Sequence, residues 1–236
     1  MQWLGRRAAA RPEEPWLFYR AGLDWRWSSW SAVAQRVERL SRLLAAAGLA
    51  AAATEPGLGV FSISLALAGE QRSAEIGGAD LPTGWARPGA SDGEPEIDAE
   101  VRQNSPAAVP LHLPPTAAED LLAALPPAGS QRDVLVLADP LPAPVTAAGL
   151  RWSLAEGAAV VLAETPDLAL PTILWARPTV YFGRSAEAEA LASSLTPKHR
   201  RRDPLGRLRL VIVEGEEPVA PDPWHRCGIE VVTTTW

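Results

Sequence analysis

Residues 132–164, RDVLVLADPLPAPVTAAGLRWSLAEGAAVVLAE, hold two short apolar runs on either side of one helical stretch. Asp133 to Ala138 predicts one strand and Ala158 to Ala163 the next, and neither alternates polar with apolar residues as a strand with one wet face would. Thr146 to Glu156 predicts the helix between them, closed by Gly157. Apolar strands separated by a helix point to a parallel sheet covered on both faces. Working outward to the carboxyl side, Thr179 to Gly183, Leu208 to Val213 and Ile229 to Thr234 predict further strands. Ser185 to Leu195 predicts a helix with Ser185 as its cap, and Leu168 to Ala176 a reduced connection. The segment GEEPVAPDPWHRC, 215–227, carries too much proline for a full crossover helix. The expected fold class is α/β, a mostly parallel sheet with helices on both faces.

On the amino side, Trp16 to Tyr19 and Trp25 to Ser28 flank the turn-like Arg20 to Asp24 and predict a hairpin. Ser29 or Ser31 then caps a helix whose apolar residues Val33, Val37, Leu40, Leu44 and Ala47 recur at alternating steps of four and three, with Gly48 as its C-cap. Gly59 to Leu67 is expected as a strand, and Glu70 to Ile97, rich in Gly, Pro, Asp and Glu, as an irregular connection. Ala107 to Leu113 predicts a short strand, and Thr116 with Glu119 a capping box opening a helix through Leu125. The expected division is a reduced N-terminal portion, 1–97, and an alternating strand and helix portion, 98–236.

Composition narrows the function classes. A formal charge of -6 argues against nucleic acid, which needs an extended basic face. The longest low-polarity run, Leu43 to Ala53, is far short of the roughly 20 residues of a membrane helix. The N-terminal MQWLGRRAAARPEEPW lacks the apolar core of an export signal, and the lone Cys227 suits a reducing compartment. A cytoplasmic location is expected. Lys198 is the one lysine among 22 basic residues, so candidates for a catalytic amine are nearly absent.

Several stretches, taken in order, carry a resemblance. LDWRWSSWSAVAQRVERLSRLLAAAGL (23–49), the segment 132–164, ARPTVYFG (176–183) and LRLVIVEGEEPV (208–219) together resemble the N-terminal domain of the adenylate-forming superfamily. Its members, the acyl-CoA synthetases, adenylation domains and luciferases, activate carboxylates with ATP. The resemblance makes Gly215 and Glu216 the counterpart of the turn that touches adenine. Trp236 falls at the family's aromatic position near adenine, before the Gly, Thr and Glu that would complete that motif.

The departures bear on chemistry. The family wraps ATP phosphates with a Thr/Ser/Gly-rich loop ending in Pro-Lys, because glycine lets backbone N–H groups approach an anion. The corresponding IDAEVRQNSPAAVPLHLP (97–114) has no glycine and no lysine, and Asn104 and Ser105 could hold one anion oxygen at best. No counterpart is found of the family's ribose aspartate, its hinge or its C-terminal lysine. Adenylation depends on stabilising charge at the phosphates. The expectation is therefore no catalytic residue and no resident cofactor, with ATP or AMP as the weaker alternative, held by Gly215, Glu216 and Trp236.

Other candidates have plainer readings. Lys198 to Arg202 is a basic cluster without interleaved aromatics, expected as an exposed loop. His225 and Cys227, with Glu214, Glu216 and Glu217 nearby, fall short of a zinc site, since His112 and His199 lie elsewhere in sequence. Trp25 and Trp27 share one strand face, to be packed in a core or left as an apolar patch for a protein partner. The expected role is a non-catalytic remnant serving as an interaction, scaffold or regulatory subunit, with a protein partner or a second copy. The alternatives are half of a split acyl-CoA ligase completed in trans, or a binder of a small carboxylate or acyl group.

Overall fold

The structure is a computed structural model that describes residues 2–54, 59–76, 83–88, 95–98, 132–138, 144–163, 169–194, 207–214 and 219–234. The chain opens with a helix the sequence reading did not anticipate, α1 (Gln2–Ala10), which buries Leu4 and sends Arg7 to the carbonyl of Ala155. The expected hairpin follows as β1 (Pro15–Ala21) and β2 (Asp24–Ser29), antiparallel, with Phe18 opposite Trp27 and Arg20 opposite Trp25. Gly22 takes a left-handed φ of 66° in its turn.

Helix α2 (Trp30–Ala46) begins and ends on the anticipated signals. The Ser29 hydroxyl accepts the Ala32 N–H at 3.2 Å. At the other end Gly48, at φ 70°, donates to the Ala45 carbonyl while Leu49 N–H reaches back to Leu44. This is a Schellman closure, with Leu44 and Leu49 both buried where the motif places its apolar contact.

After β3 (Ala51–Ala53) the structure corrects the expected strand at 59–67, which is instead the start of the 17-residue helix α3 (Val60–Ile76). Val60 and Ser62 through Gly69 are all buried, so polar residues mark no face and the run carries no helical period. Ser64 hides its hydroxyl by donating to the Val60 carbonyl one turn back, at 2.6 Å. The stretch 70–97, expected to be irregular, holds the rest of α3 and two strands, β4 (Thr83–Arg87) and β5 (Glu96–Asp98). With β3 they form a second sheet in the order β3-β4-β5, parallel then antiparallel. The strand expected at 107–113 and the helix at 116–125 lie outside the described residues.

The remaining elements follow the expected alternation: β6 (Val134–Leu137), α4 (Pro144–Glu156), β7 (Ala159–Leu162), α5 (Ala169–Ala176), β8 (Val180–Arg184), α6 (Ser185–Ser194), β9 (Leu210–Glu214), the single turn α7 (Asp222–His225) and β10 (Glu230–Thr234). Gly157, at φ 76°, closes α4 as read, and one turn of helix is all that the proline-rich 215–227 contains among its described residues. Two readings change. The connection at 168–176 contains a true helix, because Pro171 stands in its first turn, where no N–H is required. Ser185 is the first helical residue, and its hydroxyl donates to the Glu214 carbonyl at 3.2 Å.

Seven strands make one sheet in the order β10-β9-β8-β6-β7-β1-β2, parallel throughout except for the antiparallel edge strand β2. The hairpin is thus part of the main sheet. One face buries Leu135, Leu137, Val160, Leu162, Phe182 and Ile212 beneath α2, α3 and α4. The other buries Val136, Val161, Tyr181, Val211 and Val213 beneath α5, α6 and α7. Both faces are covered across the central strands, and this is why those strands read as continuous apolar runs.

Candidate functional site

The sheet has a switch point. From the carboxyl end of β6 the chain passes through α4 to β7 on one side, and from its neighbour β8 it passes through α6 to β9 on the other. Adjacent strands whose connections diverge open a crevice at their carboxyl ends, where open α/β sheets place ligands. The described part of that crevice is built on β8. The Tyr181 hydroxyl donates to Glu187 Oε2 at 2.6 Å, and the Arg184 N–H donates to the same oxygen at 3.2 Å. A Cβ on Gly183 would stand 2.1 Å from the Tyr181 hydroxyl, so glycine is what lets the tyrosine lie back along its own strand. Glu187 sits in the first turn of α6, where the helix dipole favours a carboxylate. Its oxygen is committed to holding β8 against α6, which makes it a positioning group for the crevice wall.

The residues assigned to adenine, Gly215, Glu216 and Trp236, lie outside the described residues, as do Asn104, Ser105, His112 and the basic cluster 198–202. His225 is exposed on α7 while Cys227 is buried at 6% exposure beyond it. Among the described residues no group of three or more His, Cys, Asp or Glu could hold a metal ion. None of their helices is long and apolar enough to cross a membrane.

At the amino ends of the strands, charged side chains tie neighbouring elements together. Asp133, buried, takes a two-pronged contact from Arg209, 2.8 Å from Nη2 and 3.3 Å from Nε, across the start of β8. Arg132 pairs with Glu14, donates to the Pro15 carbonyl at 2.7 Å and to the Gly157 carbonyl at 3.3 Å, and so ties β1 to the α4–β7 turn. Burial pulls the Arg132 guanidinium below its ordinary pKa; the Glu14 carboxylate opposes this, and Arg11 and Arg7 add to it.

Four of the ten tryptophans form two stacks. Trp16 and Trp30 stack at 4.4 Å inside the core, where the Trp16 indole N–H donates to the Ser153 hydroxyl at 2.8 Å. Trp25 stacks at 4.0 Å on Trp175, at the end of α5, outside it. Trp27 is 53% exposed, Trp175 50% and Leu174 43%, and the Trp25–Trp175 stack joins the hairpin to the end of α5 as an aromatic ledge, with Trp27 two residues along the strand from Trp25. Sequence reasoning located the hairpin half of this ledge through the alternation of Trp25 and Trp27. It missed Leu174 and Trp175, whose segment was not read as a helix.

No family model and no curated protein matches the sequence. Solved structures do match its fold. CmiS6 superposes with a TM-score of 0.65 at 16% identity, over 98% of this chain and 69% of that one. The o-succinylbenzoate CoA synthetase MenE from Bacillus subtilis, solved with the acyl-adenylate intermediate OSB-AMP, gives 0.62 at 16% identity over 99% and 58%. The N-terminal domain of FACL13 from Mycobacterium tuberculosis gives 0.63 at 15% identity over 100% and 75%. The chain therefore spans between 58% and 75% of these three. Over nearly its whole length, the protein has the fold of the N-terminal domain of the adenylate-forming enzymes.

Proposed function

We propose that this protein is a non-catalytic, cytoplasmic relative of the adenylate-forming enzymes that works as an interaction subunit and docks a protein partner on its aromatic ledge. The carrying observation is the exposure of Trp27, Leu174 and Trp175, with Trp175 joined to the hairpin through its stack on Trp25. Indole rings left in water forgo a large burial free energy, and contiguous exposed apolar surface of this kind marks interaction sites. The sequence adds support, since the stretch corresponding to the phosphate loop, 97–114, offers no glycine amides and no lysine.

The test pairs an activity measurement with an association measurement. The isolated chain is expected to give no carboxylate-dependent exchange of pyrophosphate into ATP. Light scattering and crosslinking at native concentration should detect a stoichiometric complex, with another protein or a second copy, that Trp27→Ser with Trp175→Ser abolishes. Exchange activity by the chain alone, or a complex indifferent to both substitutions, would overturn the reading.

A second reading is half of a ligase completed in trans. It is favoured by the crevice frame, with β8 pinned through Tyr181 and Glu187, beside the fold likeness to the MenE structure that holds OSB-AMP. Calorimetric titration with ATP-Mg separates the two. Saturable binding by this chain, through remnants such as Gly215, Glu216 and Trp236, supports the trans-completed half, and its absence supports the interaction subunit.

A further inference from the structure

A cavity of about 410 Å3 lies on the α5 side of the sheet, at the amino halves of β1, β7 and β6, the opposite end of the strands from the switch-point crevice. Its floor is apolar, formed by Phe18, Val134 and Val161 from those adjacent strands, and the Trp175 ring forms part of its wall. Among the described residues Pro15, Ala159, Ala176, Arg132 and Arg207 also line it. This volume falls in the lower part of the range of small-molecule sites, and a mostly apolar wall with a few convergent polar groups is their usual make-up.

The charge around the cavity has a sign. Among the described residues Glu14 is set against both Arg132 and Arg11, Arg7 and Arg11 also act on the Arg132 guanidinium, and Arg207, which has a partner of its own, stands in the lining. A guanidinium has five N–H donors. Among the described residues Arg132 uses one on Glu14, one on the Pro15 carbonyl and one on the Gly157 carbonyl, which leaves one N–H on each terminal nitrogen. Those two remaining donors sit on the paired nitrogens that grip carboxylates side by side. The acidic chain thus carries a local basic pocket on an apolar floor.

We infer that this cavity is a binding site for a flat monocarboxylic acid, its apolar body lying between Phe18, Val161 and Trp175 and its carboxylate facing Arg132 and Arg207. The inference goes beyond the docking role and stands apart from it, since it needs no partner and no nucleotide. Trp175 belongs to both surfaces, so an acid in the cavity would brace the indole that stacks on Trp25 at the ledge.

The probes are 2-naphthoate and its neutral counterpart 2-naphthamide, titrated by calorimetry into the full chain, with saturation-transfer NMR as a second readout. The acid is expected to bind at least about tenfold more tightly than the amide, the scale of a charge-assisted hydrogen bond. Arg207→Gln should weaken the acid by about fivefold and leave the amide unchanged. Val161→Phe fills the floor and should abolish binding of both. Should that variant lose its fold by circular dichroism, Ala176→Trp at the half-buried end of α5 supplies the same block. Equal affinity for acid and amide, no binding of either, or binding that survives the block would each overturn the assignment.

Discussion

The two faces of the seven-stranded sheet use the same residue type to opposite ends. On the face beneath α2, α3 and α4, Trp16 and Trp30 stack at 4.4 Å with their planes 9° apart, and both are essentially inaccessible. On the other face Trp25 and Trp175 stack at 4.0 Å and 4°, yet Trp175 is half exposed and Trp27 beside the pair more so. Ring geometry is nearly identical, so stacking is not what makes a core. Cover is what differs: among the described residues α5, α6 and α7 lie over the central strands and β9 and β10, while the hairpin on this face receives only the end of α5. Trp16 also satisfies its polar edge, its indole N–H donating to Ser153, as buried tryptophans usually do.

The contrast is broken most severely from the closed side. Trp16→Ala removes a fully buried ring, its stack on Trp30 and its hydrogen bond to Ser153 together. A cost of about 4 kcal/mol is expected, read as a lowered urea midpoint with an unchanged slope. A loss under about 1 kcal/mol would mean that α2 and α4 collapse into the space and that the closed face is softer than its burial implies.

Inserting one methyl group on each face sharpens the comparison. At Gly183 the new Cβ would meet the Tyr181 hydroxyl at 2.1 Å and Glu187 Oε2 at 2.7 Å, so the charge-assisted bond between them must break. Gly183→Ala should therefore cost about 3 kcal/mol, overpacking and the lost bond combined. Adding Tyr181→Phe should recover part of that, and a double-mutant cycle would measure the share. At Gly149, on α4, the Cβ would meet Leu137 Cδ2 at 2.6 Å, the end of a flexible side chain. Gly149→Ala gains helix propensity as it strains that contact, and a net cost of about 1 kcal/mol is expected by the same denaturation.

How much of this was legible in sequence follows from the same asymmetry. Runs such as Val134 to Leu137 and Ala159 to Leu162 announce themselves because both sides are covered, and α2 does so because only one side is. Helix α3 was read as a strand because burial on every side erases the period that tells the two apart. Helix α5 was passed over because it is eight residues long and carries Pro171, and with it went Leu174 and Trp175. The acid-binding cavity could not have been read at all, since Phe18, Arg132, Val161, Trp175 and Arg207 meet only through the strand order β6-β7-β1. The crevice was legible as a place, the carboxyl ends of parallel strands, but the Tyr181–Glu187 bond that shapes its wall depends on Gly183 giving up its side chain.

The smallest expected effect on stability carries the most functional weight. Trp27 faces outward from an edge strand at 53% exposure, so Trp27→Ser removes little that folding buried, and the unfolding free energy should move by no more than about 0.5 kcal/mol. The same substitution takes the most exposed indole out of the ledge. If the ledge is a docking surface, affinity for the partner should fall by about tenfold or more while the denaturation curve stays in place, because interface tryptophans concentrate binding energy. A ring left exposed only for want of cover would behave differently, its loss raising solubility and leaving association unchanged. Measuring both quantities on one variant thus tells a surface kept apolar for a partner from one that is merely uncovered, a distinction burial alone cannot make.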